Sequence, residues 1–106
     1  MPAPKPGEVW LTDLGLAAKV RPCLILTPPP STDAELNVFT VIAHTTAGRA
    51  SRWEVPIPKA FLDSEGVFDL QRIATVAAAK LERKLGELTA TELQRILDKL
   101  AERLGI

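Results

Sequence analysis

Arg21 opens one apolar run, Val20–Thr27 (VRPCLILT), and His44-Thr45-Thr46 closes another, residues 37–46 (NVFTVIAHTT). The second run delivers its hydroxyls into a segment holding Gly48, Arg49, Ser51 and Arg52. From Leu36 to Trp53 there is no acidic residue, so a local positive potential exists there. These types suit a phosphate. A planar, permanently protonated guanidinium such as that of Arg21 holds two phosphate oxygens, and a threonine hydroxyl donates to a third. Such a site needs no metal and no cofactor. His44, and the carboxylates of Glu8 and Glu54, are the groups that could accept a proton.

Each residue also has a plainer reading. Arg21 could be a surface ion-pair partner, His44 a satisfied histidine on an alternating strand, and Thr45 and Thr46 ordinary strand and turn residues. Cys23 lies in an apolar run and reads as a core thiol. Trp10 and Trp53 could stack on bases, with core packing the default.

The composition narrows the classes. With 106 residues, 46% hydrophobic and 25% charged, the chain reads as one globular domain over 1–106. Lys+Arg 13 against Asp+Glu 13 balances to zero, so any basic footprint must be local. One cysteine and one histidine exclude an internal disulfide framework and the common zinc sites. There is no phosphate-cradling glycine loop, no H-E-x-x-H, no G-x-S-x-G, and no apolar window that spans a bilayer or resembles a signal peptide. The expectation is a cytoplasmic protein with no membrane partner.

The elements that must position these residues are mostly short strands. Residues 8–14 (EVWLTDL) lie between Pro6-Gly7 and Gly15, as a strand does between turns. Residues 20–27 form a second strand in which Pro22 implies an edge, a bulge or the strand's entry. Residues 37–46 form a third, rich in β-branched side chains. Residues 52–58 (RWEVPIP) alternate with period two, but Pro56 and Pro58 restrict them to an edge. Residues 66–79 are ambiguous between strand and helix, because Val67, Ile73, Thr75 and Val76 favour the one and a run of alanines the other. From Thr89 a helix begins. Thr89 and Glu92 have capping-box spacing, Leu88 and Leu93 a staple, and Leu93, Ile96, Leu97, Leu100 and Leu104 recur along one face up to Gly105. The opposite, charged face reads as solvated. Four to six strands and a terminal helix, without βαβ alternation, predict a small α+β antiparallel barrel or sandwich.

The order of four segments then resembles a known family: residues 6–14 (PGEVWLTDL), 21–26 (RPCLIL), Thr45-Thr46, and 66–71 (GVFDLQ). With Lys84-Leu85-Gly86 and the capped helix, they are similar, nearly end to end, to the MazF/PemK family of endoribonuclease toxins. The resemblance implies an SH3-like β-barrel with a C-terminal helix, a homodimer, metal-independent cleavage of single-stranded RNA, and restraint by a cognate antitoxin protein. It implies Arg21 and Thr45 as active-site residues, with Thr46 as their neighbour. His44 or Glu54 would accept the 2′-OH proton, or Arg21 if unusually tuned, and Arg49, Ser51, Arg52 and Gln71 would bind RNA.

In two places the chain departs from relatives. Leu70, rather than an acid, precedes Gln71, with Asp69 one place earlier and so expected on the opposite strand face. The connection Gly15 to Lys19 is short where many relatives carry a longer loop. Two other functions fit the same architecture, a non-catalytic SH3-like binding module and a toxin acting on DNA gyrase.

Overall fold

Val, Ile, Thr and the aromatics concentrate in runs that end at Gly or Pro, and each such run becomes a strand. The computed structural model describes residues 3–15, 17 and 19–106, so the Gly15 to Lys19 connection lies partly outside the described residues. In chain order it holds β1 (Glu8–Asp13), β2 (Val20–Ile25), β3 (Val38–Thr45), β4 (Glu54–Val55), β5 (Val67–Ala77), a 3₁₀ turn (Ala78–Lys80), β6 (Leu81–Glu87) and α1 (Ala90–Leu104). The strands form one antiparallel sheet in the order β4-β5-β3-β2-β1-β6, and with α1 make an α+β fold.

The prolines act where their missing N–H predicts. Pro22 lies inside β2, paired with Leu11 of β1, but β2 pairs with β3 only from Cys23 onward, so the missing N–H falls where the β3 side of the strand is not yet paired. Pro56 stops β4 after two residues, and β4 is an edge strand. The ambiguous segment is one long strand up to Ala77, and only Ala78 and Ala79 of its alanine run enter the 3₁₀ turn at its end.

Side chains of β2 and β3 alternate between two apolar clusters. Leu24 and Ile42 join Val9, Phe68, Leu70 and Trp53 in one, which α1 closes through Ile96, Leu93 and Leu100. Cys23, Ile25, Phe39, Val41 and Ala43 join Trp10 in the other, packed against Ala74, Val76 and Leu81. β5 serves both. Ile42 pairs with Ile73 and His44 with Phe68, so the single residue Ala43 opposes Asp69–Arg72. The surplus is three residues, an odd number, so the period-two phase of β5 reverses across this bulge. Phe68 and Leu70 therefore face the first cluster, while Ala74 and Val76 face the second.

The connection from β5 to β6 shows how strongly the sheet is coiled. Four strand spacings separate them, about 19 Å on a flat sheet. Ala77 and Leu81 are joined by Ala78–Lys80 alone, a reach of at most about 14 Å. The sheet must curl, and Leu81 packs in the same cluster as Val76. Among the described residues no pairing joins the outer strands β4 and β6.

The helix start follows the local code. The Thr89 hydroxyl accepts from the Glu92 N–H (3.1 Å), and the Glu92 carboxylate accepts from the Thr89 N–H (2.8 Å). Gly105 ends α1 at φ 74°, a left-handed cap. No helix among the described residues is long and apolar enough to cross a membrane.

Candidate active site

Extending the β2–β3 register by two residues beyond Cys23↔Ala43 sets Arg21 beside Thr45. Arg21 Nη1 donates to Thr45 Oγ1 at 3.3 Å, and the Ala47 N–H donates to the same oxygen at 3.0 Å. Two donors occupy both lone pairs of the hydroxyl, so Thr45 holds the guanidinium against the strand end. Thr45 is only 1% exposed, whereas Arg21 is half-buried and lines a cleft of about 280 Å³. The other walls are Leu14 and the β5 stretch from Arg72 to Val76, with Ala43 between the two arginines. Arg21 thus faces the cleft and Thr45 supports it from behind.

The remaining residues divide by strand parity. His44 follows Ala43 on the opposite face, beside Phe68, with ring centroids 5.0 Å apart at 72°. Only 3% of it is exposed, and a Cβ on Gly66 would lie 2.0 Å from its Cε1, so glycine is needed there to make room for the ring. His44 does not share the Arg21 cleft. Burial pushes its pKa below the ordinary 6.5, against smaller upward pulls from Asp63 and the Gly66 backbone.

Val55 faces the first cluster, so Glu54, one residue before it, projects from the same side of the sheet as Thr45. Its carboxylate accepts the backbone N–H groups of Arg49 (2.7 Å), Ala50 (3.2 Å) and Ser51 (3.3 Å). These bonds, that from Arg49 foremost, hold its pKa below 4.5. Glu54 thereby shapes the loop after β3, in which Ala50 sits at φ 57°. The Ser51 hydroxyl lies 3.4 Å from Gln71 Oε1, which joins that loop to the β5 bulge.

Thr46 and Arg49 are exposed on this loop. Arg52 turns away, its guanidinium 4.2 Å from the Trp53 ring centroid and near Glu102 of α1. Trp10 and Trp53 are buried in the two clusters. Burial raises the Cys23 thiol to about 11, which leaves it inert at neutral pH. Among the described residues no three His, Cys, Asp or Glu side chains converge as a metal site.

The residue that sequence reasoning missed is Arg72. Nothing local announces it, because only the bulge sets it opposite Arg21.

The buried histidine yields a stability prediction. Its folded pKa lies below the unfolded value near 6.5, so its contribution is complete above about pH 6.5 and is lost as pH falls from there toward the folded value. It is the only histidine in the chain. The melting temperature should fall between pH 7 and pH 5, and His44→Phe should flatten that slope. A slope unchanged in the variant would assign it to other groups.

The chain resembles several solved structures. A mycobacterial endoribonuclease in complex with its cognate antitoxin superposes with a TM-score of 0.79 at 27% identity, over 98% of this chain and 97% of that one. The Mycobacterium tuberculosis toxin MazF-mt6 gives 0.75 at 25% identity, over 93% and 97%. A Deinococcus radiodurans MazE-MazF structure (Form-II) shares the fold, with 0.79 at 21% identity over 100% and 99%. No curated protein sequence matches the chain. The family model for the PemK-like, MazF-like toxin of type II toxin-antitoxin systems matches residues 5–104, and the chain belongs to that family.

Proposed function

We propose that the chain is the toxin of a type II toxin-antitoxin pair and cleaves single-stranded RNA without a metal, by attack of a ribose 2′-oxygen on its own phosphorus. The observation that carries this reading is the Arg21 guanidinium, pinned by Thr45 at 3.3 Å and facing a cleft. In-line attack builds charge on the non-bridging phosphate oxygens while the 5′-oxygen leaves, and a cation held in place beforehand lowers that barrier electrostatically. Arg21 is the group placed to touch the phosphate, and Thr45 acts through it, with Thr46 beside them. Glu54, on the same side of the sheet as Thr45, is the candidate to accept the 2′-OH proton, whereas His44 is buried on the opposite face, away from the cleft. Arg49, Ser51 and Gln71 are the further RNA contacts, whereas Arg52 is turned onto Trp53 and α1, away from the cleft. The coiled sheet is a small SH3-like barrel whose seam lies between β4 and β6. The chain works as a cytoplasmic homodimer of single-domain subunits and is inhibited by a cognate antitoxin that competes with RNA.

The test is cleavage of a mixed-sequence RNA in EDTA. The expected products carry a 2′,3′-cyclic phosphate or 3′-phosphate and a 5′-hydroxyl, and deoxyribose at the cut site stops the reaction. Cleavage of the deoxyribose substrate, or none of any RNA by the folded protein, would overturn the reading.

A further inference from the structure

Two arginines, not one, line the cleft. Arg21 enters it from β2 and Arg72 from β5, with β3 and the small side chain of Ala43 between them. Like charges are costly to collect in a partly desolvated cleft unless an anion balances them. Part of that balance is built in. Asp69 places Oδ1 on the Gln71 N–H at 3.0 Å and Oδ2 on Arg72 Nε at 3.2 Å. One carboxylate therefore fixes the shape of the bulge and the direction of the guanidinium together.

The pair is built asymmetrically. The Asp69 side chain is 10% exposed, whereas that of Arg72 is 40% exposed. The carboxylate takes only Nε, and among the described residues the Arg72 Nη groups have no acceptor. They supply the planar donor edge that binds two phosphate oxygens. The walls Leu14, Ile73 and Val76 are apolar and suit a base or ribose face lying between the two guanidinium groups. Two strand spacings, about 10 Å, separate the strands that carry the arginines, so an RNA strand laid across β3 meets one arginine and then the other.

Building on the endoribonuclease reading, we propose that Arg72, oriented by Asp69, binds the RNA phosphate next to the one that is cut. Arg21 serves the reacting phosphate and Arg72 holds the strand in register beside it. Its loss is therefore a loss of binding rather than of chemistry.

The probe is a mixed-sequence single-stranded RNA with 2′-O-methyl riboses throughout, which cannot be cut, titrated at several salt concentrations. Arg72→Ala should weaken binding about tenfold and reduce the slope of log affinity against log salt by about one. On cleavable RNA it should raise KM and leave kcat within about threefold. Arg72→Lys should keep the salt slope and recover part of the affinity. Asp69→Asn, which retains an acceptor for the Gln71 N–H, should fall between the parent and Arg72→Ala. Melting curves confirm the fold, and Arg72→Gln replaces the alanine variant if that one is unstable.

Parental affinity and salt slope in folded Arg72→Ala would overturn the assignment. So would a collapse of kcat with binding intact. In both cases loss of cleavage in Arg21→Ala would leave the endoribonuclease reading standing. A folded parent that neither binds nor cuts RNA would overturn both.

Discussion

Arg21→Ala is expected to lower the rate of RNA cleavage by about 10²- to 10³-fold, the usual cost of removing one preorganised donor from a developing oxyanion. The loss should fall on kcat, because the interaction strengthens as charge moves onto the phosphate. The fold should survive. Arg21 is half-buried at a strand end, Thr45 keeps the Ala47 N–H, and surface changes usually move stability by only about half a kcal/mol. Thr45→Ala should cost less than the arginine change, since the guanidinium persists and loses only its anchor. Thr45→Ser, which restores the hydroxyl, should recover most of the rate. A folded Arg21→Ala protein that cuts at the parental rate would place the chemistry elsewhere.

The largest effect on stability should come from Phe68→Ala. Phe68 is fully buried, faces His44 across β3 and Val55 across β4, and lies in the larger cluster. Emptying such a site costs about 3–5 kcal/mol, a large share of the roughly 5–15 kcal/mol that holds a domain folded. At about 4–8 °C per kcal/mol for a domain near this size, melting should drop by more than about 10 °C. The cavity lies against the imidazole, so hydration of His44 should relax its depressed pKa toward the ordinary value. The variant should then show a shallower melting slope between pH 7 and pH 5. A shift under a few degrees would mean that the cluster closes over the gap.

What could be read in advance was whatever local chemistry decides. The α1 cap needs only Thr89, Glu92 and two leucines, all within six consecutive residues, and it forms as its spacing predicts. β1 to β4 are legible because β-branched runs end at Gly or Pro. Arg21 and Thr45 are legible together because antiparallel neighbours bring the start of one run beside the end of the next. Adjacent strand residues point to opposite faces, so His44 and Thr45 could not both meet Arg21, and the structure sends them apart.

Residues 66–79 resisted because their alternation changes phase midway, which leaves no constant period to recognise. The bulge responsible is set by Trp53, whose carbonyl accepts the Leu70 N–H, and by pairing with β3. Neither is local. β6 (LERKLGE) carries exposed charges as an edge strand does, and so reads as surface rather than sheet.

The pairing of β1 with β6, Thr12 with Leu81 and Glu8 with Glu87, joins the beginning of the chain to a strand 69 to 79 residues later. Contacts of such separation must close a long loop before they return any free energy, which slows folding. During synthesis β1 can pair with β2 early, but its other edge stays open until almost the whole chain has emerged. Any chaperone, or any second nascent chain, meets that open edge first.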